Sequence, residues 1–200
     1  MASPPPADLL IQNDAFLIRP LVRGDAHPKL ESWIEDENAA AMLNTPRRSW
    51  TLDQQAEFFG RHEGQSERLI LGIFPTDARE PIGLFIVKVR PRQGVFLISH
   101  LIGDKEWRGK DATFGASEAV YDYFFNRLGY AKAKVNVRPE NKPMLWLLYT
   151  YMWRKEAHLV GHLRLAGTGE RSDLLVFGML ADEWRNRPER MRFVPGGGNA

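Results

Sequence analysis

Glu106–Ala116 reads EWRGKDATFGA. It lies between GVFLISHLI, an apolar run of strand length, and a segment carrying the apolar stripe of a helix. Where a strand gives way to a helix, the first-turn N–H groups have no intrahelical partner and the helix dipole adds partial positive charge. Such a loop suits a phosphate. Arg108 and Lys110 add charge of the same sign. Asp111 stands where a phosphate cradle would favour glycine. Aspartate tolerates left-handed backbone, so the turn itself survives. Its carboxylate repels a phosphate unless it points outward or pairs with Lys110 or Arg108. The plain alternative is a strand–helix connection with solvated charges, because short glycine-containing motifs arise by chance.

Working outward, the spacing predicts a helix from about Ala112 to Leu128, with Val120, Tyr121, Phe124, Phe125 and Leu128 on its apolar side and Gly129 ending it. Upstream, RLILGIF, PIGLFIVKV and GVFLISHLI read as an antiparallel meander. AFLIRPL is a first strand ended by Pro20. Asp25 is the expected cap of a helix running to about Leu43, and Thr51–Gln54 has capping-box spacing before a helix to about Glu63. Downstream, AKAKVNV is a strand, Asn141 caps a helix with Pro143 in its first turn, and EAHLVGHLRL and SDLLVFGML form a closing hairpin. Residues 1–12 and 188–200 are expected as flexible tails around a single domain at 13–187, because ASPPP lacks donors and VPGGGNA is too free to pack.

Composition narrows the functions. The net charge of +2 is too balanced to argue for nucleic acid. With no cysteine there is neither disulfide nor thiolate metal site. No apolar run approaches a membrane span, and the N-terminus lacks the basic-then-apolar order of a secretory signal, so cytoplasm is the default expectation. His158 and His162 share a strand face, but that spacing holds them about 13 Å apart, too far for one metal ion. The basic runs VKVRPR and RPERMR read as solvated surface.

Four segments in order resemble the GNAT N-acetyltransferase superfamily, in its RimJ/RimL-type branch of ribosomal-protein-alanine acetyltransferases. They are FLIRPLVRGDAHPKLESWIED, WRGKDATFGASEAVYDYFFNRLGY, VRPENKPMLWLLYTYMWRKEA and RSDLLVFGMLADEW, together spanning most of residues 16–184. The resemblance implies an α+β fold: a central, mostly antiparallel seven-stranded sheet, splayed between its fourth and fifth strands and flanked by about four helices. It implies acetyl-CoA, or another acyl-CoA, as co-substrate and no metal. The pyrophosphate would rest on Arg108, Gly109, Lys110, Asp111, Ala112 and Thr113. The pantetheine arm would pair with backbone near Ile102 and Gly103 like an added strand. Asn141 matches the family's asparagine on that arm.

The family's chemical groups are replaced here. Its strand glutamate falls at Leu97, its helix serine at Met144 and its tyrosine at Leu148. The nearest substitutes are His100 as base and Tyr149 as acid; a water chain is the alternative to both. The acceptor is expected opposite the cofactor, walled by the first two helices and the connection NTPRRSW, with Trp33, Arg47, Arg48 and Trp50 as candidates. The arginines suit an acidic acceptor.

Two functions follow. One is an acyl-CoA-dependent N-acyltransferase acting on a primary amine of a protein N-terminus or a small molecule. The other is a GNAT-fold module that holds acyl-CoA or a partner with weak or no turnover. A homodimer is left open. Asp111→Gly should tighten CoA binding, because it removes a carboxylate beside the pyrophosphate and frees the turn. The gain should shrink as salt rises. Titration calorimetry showing weaker binding at every ionic strength would instead make Asp111 a support of the loop.

Overall fold

The computed structural model describes residues 2–36, 50–108 and 112–189. Their strands are β1 (Ile11–Gln12), β2 (Phe16–Pro20), β3 (Arg68–Pro75), β4 (Gly83–Arg90), β5 (Val95–Ile102), β6 (Lys132–Val137), β7 (Arg154–Arg164) and β8 (Arg171–Leu180). Their helices are α1 (Pro28–Glu35), α2 (Leu52–His62), α3 (Ala112–Asp122), α4 (Lys142–Thr150) and α5 (Ala181–Arg185). The strands form one sheet in the order β1-β2-β3-β4-β5-β6-β8-β7. All neighbours are antiparallel except β5 and β6. The expected fourth and fifth strands are therefore β5 and β6. The expected α+β architecture is present, with one more strand and one more helix.

The added strand is β1. Leu9 and Ile11 are buried, and Ile11–Gln12 pairs with Leu17–Ile18. Part of the segment expected as a tail thus extends the sheet. The reason lies in two apolar residues of proper spacing just after the proline run. The added helix is α5, where Glu183 accepts from the Leu180 N–H at 2.8 Å and Trp184 is buried.

Alternation along each strand divides the core into two layers. Phe16, Ile18, Leu71, Ile73, Phe85, Val87, Phe96, Ile98, Val135 and Phe177 share one face with α3, α4 and α5. Leu21, Ile70, Phe74 and Leu84 share the other with Leu30 and Trp33 of α1 and Phe59 of α2. On the first face Phe96 is ringed by Tyr121, Phe124, Phe125 and Tyr130, with centroids 4.7 to 6.3 Å away. All the apolar residues expected on the α3 stripe are buried. The helix widens into a π turn at Tyr123–Arg127, where the Leu128 N–H reaches the Tyr123 carbonyl, and Gly129 ends it at φ +73°.

The start of α1 corrects the sequence expectation. Asp25 lies in a short turn, where its carboxylate takes Arg19 at 2.7 and 2.8 Å and the Val22 N–H at 2.8 Å. The cap is His27, whose Nδ1 accepts from the Lys29 N–H, and Pro28 opens the helix. An aspartate claimed by an arginine is not available to cap. At α2 the Thr51–Gln54 capping box forms as expected.

α1 and α2 are joined by Gln55, a wholly buried polar side chain. Its Oε1 accepts from the His27 N–H at 2.9 Å and its Nε2 donates to the Trp50 carbonyl at 2.8 Å. Gln55→Leu keeps the volume and strands both backbone groups. It should lower stability by about 2–4 kcal/mol and the melting temperature by about 5–10 °C. A scanning calorimetry trace matching wild type would show those groups finding other partners.

Candidate active site

The backbone pairing between β5 and β6 is short. Val95–Leu97 pairs with Lys132–Lys134, and beyond that the two strands part. β6 stays paired with β8 along its whole length, Lys132–Val137 against Leu180–Leu175. β5 stays paired with β4 to Ile102. The splay expected between these strands is present.

The register shows what the splay exposes. The Gly103 N–H donates to the Ile82 carbonyl at 3.0 Å, so Gly103 turns its amide toward the β4 side. Alternate residues of an antiparallel strand turn their N–H and C=O groups in opposite directions. His100 and Ile102 therefore present theirs toward β6, past the point where pairing stops, and the Ile102 carbonyl is taken by Arg108. Of the two residues expected to pair with a pantetheine arm, Ile102 lies on this edge. Gly103 has spent its N–H on Ile82.

Gly103 has a different task. Its missing Cβ would lie 1.9 Å from Cδ2 of Trp33. The Trp33 ring thus rests on the glycine backbone and is buried. Trp33 is a packing residue of α1. Trp50 is half-buried and packs edge-on against Phe58 and Phe59 at 5.8 and 5.7 Å. Both aromatic candidates for the acceptor wall are packed into the scaffold, and Trp33 also lines a cleft beside α1. Arg47 and Arg48 lie outside the described residues, as do Gly109, Lys110 and Asp111.

Arg108 is engaged within the protein. Its Nε donates to the Ile102 carbonyl at 2.9 Å, one Nη to the Gly103 carbonyl at 2.9 Å and the other to Asp36 at 2.6 Å. The guanidinium is turned to α1 and the end of β5. Ala112 and Thr113 are the first described residues of α3, and the first-turn N–H groups of a helix lack intrahelical partners. Asn141 caps α4, with Oδ1 accepting from the Met144 N–H at 3.2 Å, so the cap reading stands beside any contact its NH2 group makes.

The two substitutes for the missing acid and base are poorly placed. His100 shares the α3 face with Phe96, Ile98 and Ile102, and its ring lies 5.9 Å from Phe85. The sheet therefore separates it from α1 and α2. Although part of the residue is accessible, the imidazole is desolvated, which pushes its pKa down to about 4. It is neutral at neutral pH and a weak base. Tyr149 is exposed on α4, edge-on to Phe177 at 5.5 Å, while Leu148 beside it is wholly buried. The strand residue that is open on the α1 side is Ser99.

Sequence reading missed Asp36, Lys29 and Asp104. Lys29 reaches Asp104 at 2.8 Å, and Asp36 receives Arg108. A cleft of ≈ 490 Å³ opens here between α1 and the turn after β5, with Ser32, Trp33, Glu35, Gly103 and Lys105 also on its walls. Only the periodicity of α1 could have hinted at these partners, which are 75 and 72 residues apart. His158 pairs with Asp173 at 2.6 Å. Among the described residues no group of three or more acidic or histidine side chains could hold a metal ion, and no helix is long and apolar enough to cross a membrane.

Residues 16–148 match the family described as acetyltransferase (GNAT) domain. No curated protein matches the chain. Among solved structures, a GCN5-related N-acetyltransferase from Brucella melitensis is 18% identical with a TM-score of 0.77, covering 92% of this chain and 85% of that one. A ribosomal-protein-S5-alanine acetyltransferase from Vibrio fischeri is 17% identical, TM-score 0.71, covering 90% and 100%. A spermidine N-acetyltransferase from Vibrio cholerae, in complex with CoA and spermine, is 19% identical, TM-score 0.75, covering 87% and 100%. At these identities the likeness is one of fold.

His100 yields a signed prediction. Its folded pKa of about 4 lies below the free value of 6.5, so the unfolded chain binds the proton more readily between them. The stability this neutral group contributes is complete above pH 6.5 and is lost as pH falls toward 4. His100→Gln should flatten that part of the stability profile. Denaturant unfolding from pH 7.5 to 4 checks it; the same acid loss in both proteins would assign it to other groups.

Proposed function

The chain belongs to the GNAT acetyltransferase family, and on that premise we propose that it transfers the acetyl group of acetyl-CoA to the primary amine of a protein N-terminus or a small molecule, as a cytoplasmic enzyme of the RimJ/RimL-type branch. The observation that carries the reading is the interrupted β5–β6 pairing, which leaves the backbone of His100 and the N–H of Ile102 open to an extended ligand. An amide-bearing chain laid along that edge gains main-chain hydrogen bonds in the manner of an added strand. The free N–H groups at the start of α3 support placing the pyrophosphate there.

Bound acetyl-CoA supplies a thioester that an amine attacks. The chain's own contribution is mainly to place and to shield. β5 fixes the donor's arm by backbone, and α3 with α4 covers that face of the sheet. α1 and α2 wall the opposite face, from which an acceptor approaches through the cleft beside Ser32 and Asp104. With His100 on the donor face and weakly basic, solvent at the mouth removes the ammonium proton. Holding the reactants together accounts for much of the expected rate, since positioning alone is worth several kcal/mol of barrier.

The test is thiol release from acetyl-CoA with a panel of an alanine-starting peptide, spermidine and free amino acids. Turnover is expected with at least one class, and its rate should show no inflection near pH 6–7 attributable to His100. CoA binding without thiol release for any amine would instead support a binding module, in line with Leu97, Met144 and Leu148 standing where the family has functional side chains.

A further inference from the structure

We propose that Arg108 is a positioning residue for acetyl transfer: it clamps the end of β5 to α1 and so sets where the donor's arm is held. The inference rests on the acetyl-transfer reading and assigns to Arg108 a role other than phosphate contact. Three nitrogens of one planar guanidinium are engaged at once, by the carbonyls of Ile102 and Gly103 at 2.9 Å each and by Asp36 at 2.6 Å. Such a fork fixes relative position in a way a lysine ammonium does not.

Asp36 makes the clamp specific. It is the C-cap of α1, the negative end of the helix, and its side chain is 8% exposed. A carboxylate there is unfavourable by helix dipole and by burial alike. Arg108 offsets both, with Lys105 more distant at 3.8 Å. One turn earlier Trp33 presses on Gly103. α1 thus holds the Ile102–Gly103 unit by a ring on one residue and a charged fork on both carbonyls.

The consequence for chemistry is geometric. The clamped unit is the end of the open edge, and Ile102 turns its N–H toward that edge. A shift of β5 by about 1 Å would carry the donor's arm with it, and misplacement of that size can lower a rate about 100-fold. Arg108 acts through the strand, so CoA affinity should change much less than turnover.

The experiment uses Arg108→Gln, Arg108→Lys, Asp36→Asn and the Asp36→Asn/Arg108→Gln double variant. Amide exchange by mass spectrometry should rise about tenfold at the end of β5 in Arg108→Gln. kcat with the best amine of the panel should fall about 10- to 100-fold, and Arg108→Lys should not rescue it. The CoA dissociation constant from calorimetry should move less than about threefold, since no phosphate contact is lost. The double variant should be no worse than Arg108→Gln, because the pair acts as a unit. If Arg108→Gln fails to fold, Asp36→Asn carries the test, since it leaves both carbonyl contacts in place and should still lower kcat. Unchanged exchange would overturn the clamp. Faster exchange with wild-type kcat would overturn the positioning role, and a tenfold loss of CoA affinity at constant kcat would make Arg108 a phosphate ligand. Wild-type protein that turns over no amine would sink the acetyl-transfer reading and this role with it, while the exchange result would still report whether the clamp exists.

Discussion

Three residue pairs of parallel ladder, Val95–Leu97 with Lys132–Lys134, are the backbone connection between the two halves of the sheet. The open edge of β5 depends on that ladder being short. If it ran to Ile102, the backbone of His100 and the N–H of Ile102 would pair with β6 and no edge would remain. Beyond the ladder each strand follows its other neighbour and the two part. β6 is committed to β8 over its full length, and β5 to β4 over its own. The aromatic cluster around Phe96 packs where the strands still meet, so the junction is firm at one end and open at the other.

An open edge inside a protein is a liability unless its position is fixed. Here it is fixed from the α1 side. Trp33 packs on Gly103 so closely that no side chain fits there, and Arg108 ties the carbonyls of Ile102 and Gly103 to Asp36. Gln55 in turn ties α1 to α2 by satisfying one backbone group on each side. The chain of contacts runs from the α2 start through α1 to the last residues of β5. Charges that look like ligand-binding groups in the linear sequence are thus spent on holding the scaffold.

The sheet also sorts chemistry by face. Residues of even number on β5 face α3 and those of odd number face α1, so His100 and Ser99, adjacent in sequence, lie on opposite sides. An imidazole on the α3 face, desolvated beside Phe85, is a packing group that happens to titrate. Backbone geometry rather than a side-chain base then carries most of the catalytic argument, in keeping with apolar residues at Leu97, Met144 and Leu148.

The sequence by itself determined what depends on local periodicity and on punctuation. Gly129 at the end of α3, the Thr51 box and the Asn141 cap are interactions within about five residues of chain, while the strands of the meander and the apolar stripe of α3 are written in local periodicity. The order of segments carried the family resemblance, and the splay came with it. The tertiary structure decided whatever depends on competition for a partner. Asp25 does not cap α1 because Arg19 takes its carboxylate. Trp33 is held on the wall of the α1 cleft because Gly103 lies beneath its ring. Arg108 has its guanidinium claimed by three acceptors, one of them 72 residues away. A polar or aromatic side chain in a sequence offers a valence, and which neighbour fills it is set by a distance that only the folded chain defines.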